Sequence, residues 1–325
     1  MLPRVATRSW RWTRVVDRPP VATYAPAVAD PTPPAAAAAF RLTPPEPRSI
    51  VELLRDGTLD TELAAQLWLL LEARAPLIVA AEAQGAGKTT LLQALLEFLP
   101  AGIRVVELAG EDETFAWLPQ ASELGWPGTG PRAASGDPVR PDTTVLLVHE
   151  LSDHTPAYTW GAAARVVVRA ASIGYGLAAT IHADSLDEVF DLLRARPVGL
   201  TDDELSHLGV VIVLRPMPEG RRVVAAHYVR PVARDEHGHV QRLGPAVLTT
   251  WDPATDEFEH FGWGVIPELA RRVGRRAGDF EIELDRRQAH LDELVAASVT
   301  DPGAVRDAIR GYRPAAAFDA PQDDA

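Results

Sequence analysis

The sequence of 325 residues contains no cysteine. The chain therefore cannot form disulfides, bind zinc through thiolates or use a thiol nucleophile. Basic residues are also relatively few, because 45 acidic residues outnumber 32 basic ones and give a formal net charge of −13 at pH 7. This balance argues against electrostatic binding of nucleic-acid phosphates by the chain as a whole, so no nucleic-acid partner is expected.

Long apolar runs are missing as well. The longest run, residues 63–81, carries Glu72 and Arg74, whereas a membrane span needs about 20 largely uncharged apolar residues. Arginines near the N-terminus interrupt any apolar stretch of signal-peptide length. The sequence therefore predicts a cytoplasmic protein, long enough for roughly two domains.

The first 48 residues differ in composition from the rest. They contain ten of the 28 prolines, and seven arginines against three acids give them a charge of +4, which leaves −17 for the remaining residues. We interpret residues 1–48 as a basic, Pro/Ala-rich and largely disordered segment. Because arginines recur at helical spacing within residues 1–20, peripheral contact with the inner face of a membrane is the alternative.

From Ser49 onward, helical patterns alternate with short apolar runs. A capping box formed by Ser49 and Glu52 predicts a short helix that stops at Gly57, and a second helix follows Asp60. Uninterrupted apolar strands alternating with helices are typical of a parallel sheet covered on both faces, so the fold class is predicted to be α/β. The predicted strands are Pro76–Ala81, Ile103–Leu108, Thr143–Val148, Gly176–Ile181 and Gly209–Leu214.

The pattern changes after residue 215. Turn signals at residues 235–238 and 252–255 separate three strand-like runs, which predicts a small antiparallel β-meander. Two helices follow, one over Glu281–Ala296 and one from the N-cap Asp301 to Gly311. The predicted organisation is a core at residues 49–215, a meander with a helical region at 216–312, and an acidic disordered tail at 313–325.

A candidate phosphate-binding loop spans residues 82–90, which read Glu-Ala-Gln-Gly-Ala-Gly-Lys-Thr-Thr between a predicted strand and a predicted helix. In the pattern G-x-x-x-x-G-K-[ST], glycines let backbone N–H groups wrap the phosphates, the lysine reaches the β- and γ-phosphates, and the hydroxyl holds Mg²⁺. The helix start adds its dipole to the same site. ATP and Mg²⁺ are therefore the expected ligands, and the predicted nucleotide-binding residues are Gly85, Ala86, Gly87, Lys88, Thr89 and Thr90.

Two positions in this loop are unusual. Lys88 is the sole lysine in the chain, and the other 31 basic residues are arginines. This usage fits a site where a guanidinium fork cannot replace a compact ammonium. Glu82 stands where the pattern has its first glycine, and a carboxylate there repels phosphate unless it points away. A strand–helix turn that ends in Lys-Thr-Thr by coincidence is the alternative, and the surrounding pattern argues against it.

Two more candidate site residues follow predicted strands. Glu150 lies at the strand end where open α/β sheets bind ligands, so it is a candidate for activating water or, with Thr89, for holding Mg²⁺. His182 follows the next strand and is a candidate sensor of the γ-phosphate. The alternative for each is a structural role, since strands often end in an acid and a lone histidine is more often structural.

Taken in order, these motifs resemble those of the ATPases of type II and type IV secretion, type IV pili and the archaellum. The resemblance runs from about Ser49 to Tyr312. Residues 49–59 resemble the segment before the family's P-loop, and residues 85–90 resemble its Walker A motif. Residues 140–150 are similar to the approach to its Walker B glutamate, and residues 173–183 to its histidine box. The helical end, residues 283–312, is similar to the archaeal branch.

The resemblance implies a RecA-like P-loop ATPase, typically a homohexamer, that works with a membrane platform protein of a pilus or secretion system. It implies that Lys88 binds phosphate, Thr89 binds Mg²⁺, Glu150 activates water and His182 senses the γ-phosphate. Asp112 matches the family's aspartate box with a short insertion. Separately, Arg140 lies near a Gly/Pro-rich loop and is a candidate to act in trans on a neighbouring nucleotide.

Three positions depart from the family pattern. Glu82 and His149 replace glycines, and Ser152 replaces an arginine. The family also carries a sizeable domain before the core, where this sequence has 48 residues. These departures favour an alternative function, a catalytically weak nucleotide-binding subunit that regulates or scaffolds such a machine.

Overall fold

The structure is a computed structural model that describes residues 47–128, 139–234, 237 and 239–314. Apart from residues 47, 48, 313 and 314, the predicted N-terminal segment and acidic tail lie outside the described residues, and so does the basic stretch 1–20. None of the described helices is both long and apolar enough to cross a membrane.

Helices and strands alternate along the described core. The α-helices are α1 (Ile50–Arg55), α2 (Thr61–Glu72), α3 (Lys88–Leu95), α4 (Gly161–Ser172), α5 (Leu186–Arg194), α6 (Asp202–Leu205), α7 (Ile266–Arg272), α8 (Ala277–Ala296) and α9 (Pro302–Gly311). The strands are β1 (Leu77–Ala80), β2 (Arg104–Glu107), β3 (Thr144–Leu151), β4 (Gly176–Ile181), β5 (Val210–Met217), β6 (Gly220–Tyr228), β7 (Ala233–Arg234), β8 (Val240–Gln241), β9 (Ala246–Asp252) and β10 (Glu257–His260).

Eight of these strands form one sheet, in the order β10-β9-β6-β5-β1-β4-β3-β2. Five adjacent strands, β5, β1, β4, β3 and β2, are parallel to one another. Next to β5, the sheet continues with β6, β9 and β10, each antiparallel to the strand before it. Strands β7 and β8 form a separate two-stranded ribbon. The predicted α/β fold is confirmed, with a mostly parallel sheet followed by antiparallel strands and C-terminal helices.

The central strands are buried on both faces, which explains their unbroken apolar sequences. Every residue of β1 and β4 is buried, as expected for parallel strands covered by helices on both sides. Val79 belongs to the core cluster that includes side chains of α1, α2, α3 and α8, whereas its neighbour Ile78 belongs to the cluster that includes side chains of α4 and α5. Because β1, β3 and β4 are parallel, their carboxyl ends meet at one edge of the sheet.

Local signals place the helices as the sequence predicts. The Ser49 hydroxyl accepts a hydrogen bond from the Glu52 N–H at 3.2 Å, and the Glu52 carboxylate accepts one from the Ser49 N–H at 2.9 Å. This reciprocal pair is the predicted capping box. Asp60 caps α2, and Asp301 caps α9. Helix α8 begins at Ala277, about one turn before the predicted start at Glu281.

The β5–β6 hairpin contains one irregularity. Val213 pairs with Ala225 and Leu214 with Val223, so Val224 is an extra residue on β6 that has no partner on β5. Such a β-bulge bends the strand and changes which residues beyond it lie opposite one another. The end of the hairpin, where Met217 pairs with Gly220, lies beside the loop that precedes α3.

Candidate nucleotide-binding site

The loop that joins β1 to α3 lies at the carboxyl edge of the parallel strands. Gly85 and Gly87 have φ values of +74° and +96°, and this left-handed backbone favours glycine over residues with a Cβ. Gly87 is also the N-cap of α3, so no side chain caps the N–H groups that begin this helix. Uncapped N–H groups and the helix dipole together form a cradle suited to an anion.

Lys88 is the first residue of α3, and only 6% of it is exposed. Its Nζ donates a hydrogen bond to the Ala81 carbonyl oxygen at 3.2 Å. The same Nζ lies 3.5 Å from Glu150 Oε1 and 3.3 Å from His182 Nδ1. Burial lowers the pKa of Lys88, and the Glu150 carboxylate opposes that change. The ammonium therefore connects the loop to the ends of β3 and β4.

Glu150 lies near the end of β3 and is hydrogen-bonded to the neighbouring strand β4. The carboxylate is buried, and its Oε2 accepts a hydrogen bond from the Thr180 hydroxyl on β4 at 3.0 Å. Its Oε1 is within ion-pair distance of Lys88 and of His182, yet no well-aligned hydrogen bond reaches that oxygen from the described residues. A buried carboxylate oxygen without a hydrogen bond is costly. The Lys88 ammonium, 3.5 Å away, supplies the opposite charge that offsets this cost.

His182 follows β4 and lies between the acid and the lysine. Its Nε2 is 2.9 Å from Glu150 Oε1, and its Nδ1 is 3.3 Å from Lys88 Nζ. The same Nδ1 also lies 3.1 Å from the Glu82 backbone carbonyl oxygen, so this nitrogen faces both the ammonium and a carbonyl. The ring of His154 packs edge-on against it, with the ring centroids 5.6 Å apart.

The structure thus brings Lys88, Glu150 and His182 together, but it places the two weaker candidates elsewhere. Asp112 lies in the 3₁₀ turn Gly110–Asp112 with its side chain exposed, and no contact links it to those three residues within the described part of the chain. Arg140 precedes β3, so it lies at the opposite edge of the sheet from Glu150. Its exposed guanidinium makes two hydrogen bonds to the Asp142 carboxylate, at 3.0 and 2.5 Å.

The three residues that depart from the family pattern, Glu82, His149 and Ser152, keep their side chains away from the cluster of Lys88, Glu150 and His182. Glu82 is exposed, and its contact with His182 is through the backbone carbonyl oxygen. His149 makes a short contact with Glu107 on β2; successive side chains in a strand alternate faces, which separates it from Glu150. Ser152 is buried, and its hydroxyl accepts a hydrogen bond from the His154 N–H at 3.0 Å. These substitutions leave the Lys88–Glu150–His182 contacts intact.

Sequence reasoning missed Glu113, which orders the loop after β2. Its buried carboxylate accepts hydrogen bonds from the Phe115 N–H at 2.6 Å and from the Trp117 indole N–H at 3.1 Å. In the acidic run of residues 111–113, only Glu113 is buried. No periodic pattern exists in a loop to mark the inward-facing residue, so only the run of acids and the nearby tryptophan were available as signals.

The residues present fit a nucleotide with Mg²⁺. The loop offers the anion cradle, Lys88 offers a cation, Thr89 offers a hydroxyl on the first turn of α3, and Glu150 offers a buried carboxylate. Within the described residues, no group of three His, Asp or Glu side chains could hold a metal by itself. A Mg²⁺ ion here would take most of its ligands from phosphate and water, which is its usual behaviour in nucleotide sites.

No protein-family model matches the chain. In sequence it is similar to two uncharacterized proteins of Methanocaldococcus jannaschii. MJ0900 is 26% identical over 286 residues, which cover 82% of this chain and 49% of that protein. MJ1287 is 27% identical over 258 residues, which cover 75% of this chain and 90% of that protein. The chain therefore spans about half the length of the first of these relatives.

Among solved structures, the chain is similar to the ATPase DotB of two bacteria. The Legionella pneumophila protein is 18% identical, with 51% of this chain and 48% of that chain covered and a TM-score of 0.32. The Yersinia pseudotuberculosis protein is 13% identical, with 79% and 62% covered and a TM-score of 0.30.

Proposed function

We propose that this chain binds ATP with Mg²⁺ and hydrolyses it. The observation that carries the proposal is the convergence of Lys88, Glu150 and His182 at the carboxyl edge of the sheet, directly beside a glycine loop that begins a helix. Each of the three comes from a different strand end or helix start. A buried lysine, a buried acid and a histidine in mutual contact beside an anion cradle support phosphate chemistry better than a structural role.

In this proposal each side chain has a separate task. The N–H groups of residues 85–90 and the Lys88 ammonium bind the phosphates. Thr89 supplies a hydroxyl for Mg²⁺, which when bound neutralises phosphate charge. The Glu150 carboxylate accepts a proton from the attacking water, directly or through a second water. His182, which contacts both Lys88 and Glu150, responds when the terminal phosphate leaves.

We further propose that the hydrolysis drives a secretion or type IV pilus-like assembly machine at the inner face of a membrane. The order of the motifs supports this, because it resembles the secretion ATPases from residue 49 to residue 312. The proposed partners are other copies of the chain, in a ring, and a membrane platform protein. The alternative is a regulatory or scaffold subunit that binds nucleotide with little turnover, which the replaced glycines at Glu82 and His149 favour.

Steady-state ATPase activity of the purified protein tests the proposal. Lys88→Ala is expected to abolish nucleotide binding, and Glu150→Gln to keep binding but lower turnover by about 10²–10⁴-fold, the usual contribution of a general base. Glu204→Gln is the matched control, because Glu204 pairs with Arg169 at the opposite edge of the sheet. Wild-type protein that binds ATP tightly without turnover would support the scaffold alternative instead.

Light scattering tests the proposed assembly. The motor proposal predicts a larger particle in the presence of a non-hydrolysable ATP analogue and Mg²⁺ than in buffer alone, because nucleotide bound between subunits favours the ring. Lys88→Ala serves as the control, since it is expected to stay unchanged on adding the analogue. A wild-type monomer under all conditions would count against a ring.

A further inference from the structure

A second cationic side chain reaches the phosphate-binding loop from a distant part of the chain. Arg221 lies near the start of β6, where it pairs with Pro216 of β5. Its Nη2 donates a hydrogen bond to the Gly85 carbonyl oxygen at 3.3 Å, across 136 positions of sequence. The β5–β6 hairpin thus places a guanidinium on the candidate nucleotide loop.

The approach of Arg221 to the loop depends on glycine. A Cβ added at Gly87 would lie 2.6 Å from Arg221 Cδ and 2.7 Å from Arg221 Nε, so a larger residue at position 87 would displace the arginine side chain. Gly87 therefore meets two requirements at once, a left-handed backbone and room for the arginine. The contact is close packing of the arginine against the loop backbone.

The neighbouring arginine shows what a structural arginine looks like in this hairpin. Arg222 is buried and makes two hydrogen bonds to the Asp256 carboxylate, at 3.0 and 3.2 Å, with a third to the Asp56 carbonyl oxygen at 3.0 Å. Arg221 is exposed, and among the described residues no carboxylate lies within ion-pair distance of it. Its one hydrogen bond is long and goes to a neutral carbonyl.

We infer that Arg221 is a nucleotide-binding residue of the same subunit, which contributes a second positive charge to the phosphates. A planar guanidinium pairs with phosphate oxygens through two N–H groups, which is stronger than a single bond to a carbonyl. Lys88 is buried, whereas Arg221 is exposed beside the Gly85 carbonyl oxygen. The inference rests on the proposed function, because it requires that the loop binds a nucleotide.

The test compares nucleotide affinities of the full chain by titration with fluorescent ATP and ADP analogues in Mg²⁺. Arg221→Ala is expected to weaken binding on the order of tenfold, the equivalent of losing one charge-assisted hydrogen bond. Its Kd is also expected to depend less steeply on salt, since one cation fewer faces the phosphates. Arg221→Lys keeps the charge and is expected to recover part of the affinity. Arg242→Ala, which removes a surface arginine paired with Asp203, is the matched control.

Two outcomes overturn the inference while leaving the proposed function in place. One is an affinity of Arg221→Ala within twofold of wild type, with Lys88→Ala unable to bind. The other is a loss of affinity together with a lower thermal midpoint in the absence of nucleotide, because the arginine then only supports the fold. Wild-type protein that fails to bind either nucleotide overturns the proposed function and this inference together.

Discussion

A rise in pH from 5 to 8 is expected to destabilise the folded protein through one buried carboxyl group, Glu97. This residue lies in the 3₁₀ turn Leu96–Phe98 after α3, and only 7% of its side chain is exposed. Burial raises its pKa to about 7, although the backbone N–H of Ile50 and the charge of Arg306 oppose that rise. Its Oε2 is buried and accepts no hydrogen bond from the described residues.

The sign of the effect follows from the two pKa values. The ordinary value for a glutamate is 4.5, so between pH 4.5 and about 7 the folded state holds a proton that the unfolded state releases. The free energy of unfolding therefore falls as the pH rises through that window. Each pH unit is worth up to about 1.4 kcal/mol, so the full window costs the folded state about 3 kcal/mol at most.

Thermal unfolding of wild type and Glu97→Gln at pH 5 and pH 8, without nucleotide, measures this effect. Glutamine resembles the protonated carboxyl and does not titrate, so the variant is expected to gain about 5 °C relative to wild type between the two pH values. Glu281→Gln, at an exposed position of α8, is the control and is expected to follow wild type. If wild type and Glu97→Gln respond to pH in parallel, Glu97 does not titrate in this window and the reasoning is wrong.

Three further predictions concern the site and the C-terminal helices. Thr89→Ala is expected to weaken Mg²⁺-dependent ATP binding on the order of tenfold and to change binding in EDTA little; equal losses in both conditions would contradict a Mg²⁺ role. His182→Ala is expected to slow turnover at least tenfold with ATP affinity nearly unchanged; a loss of affinity alone would make His182 a binding residue. Arg287 is buried, with its Nε 3.0 Å from Glu283 and its guanidinium 4.7 Å from the Trp68 ring centroid. Arg287→Met is expected to lower the free energy of unfolding by about 3–5 kcal/mol, because it leaves the buried Glu283 carboxylate unpaired. The double variant with Glu283→Leu is expected to recover much of that loss in urea unfolding, and no recovery would refute the unpaired-charge explanation.

Much of the core could be predicted from the sequence because buried parallel strands and helix caps leave local signals. The predicted strand Gly176–Ile181 matches β4 residue for residue, and Asp60 caps α2 as expected. The same signals led to Lys88, Glu150 and His182, which begin a helix, end a strand and follow a strand, and these three do lie together. Their chemical roles stay predictions.

The side chains that sequence reasoning missed depend on distant partners. Glu113 binds N–H groups in a loop without periodicity, and Arg221 meets Gly85 only because β6 lies next to β5 in the sheet. An arginine is one of 31 in this chain, so its identity alone carries little information. Such contacts follow from tertiary structure, which the pattern of one segment does not encode.

The extra residue in β6 decides which of two consecutive arginines faces the loop. With the bulge at Val224, Pro216 lies opposite Arg221 and Arg215 lies opposite Arg222. An unbroken antiparallel ladder from Val213 would instead place Arg222 opposite Pro216 and send Arg221 to the other side of the sheet, since a one-residue slip exchanges the two faces. One unpaired valine thus assigns one arginine to the ion pair with Asp256 and the other to the loop.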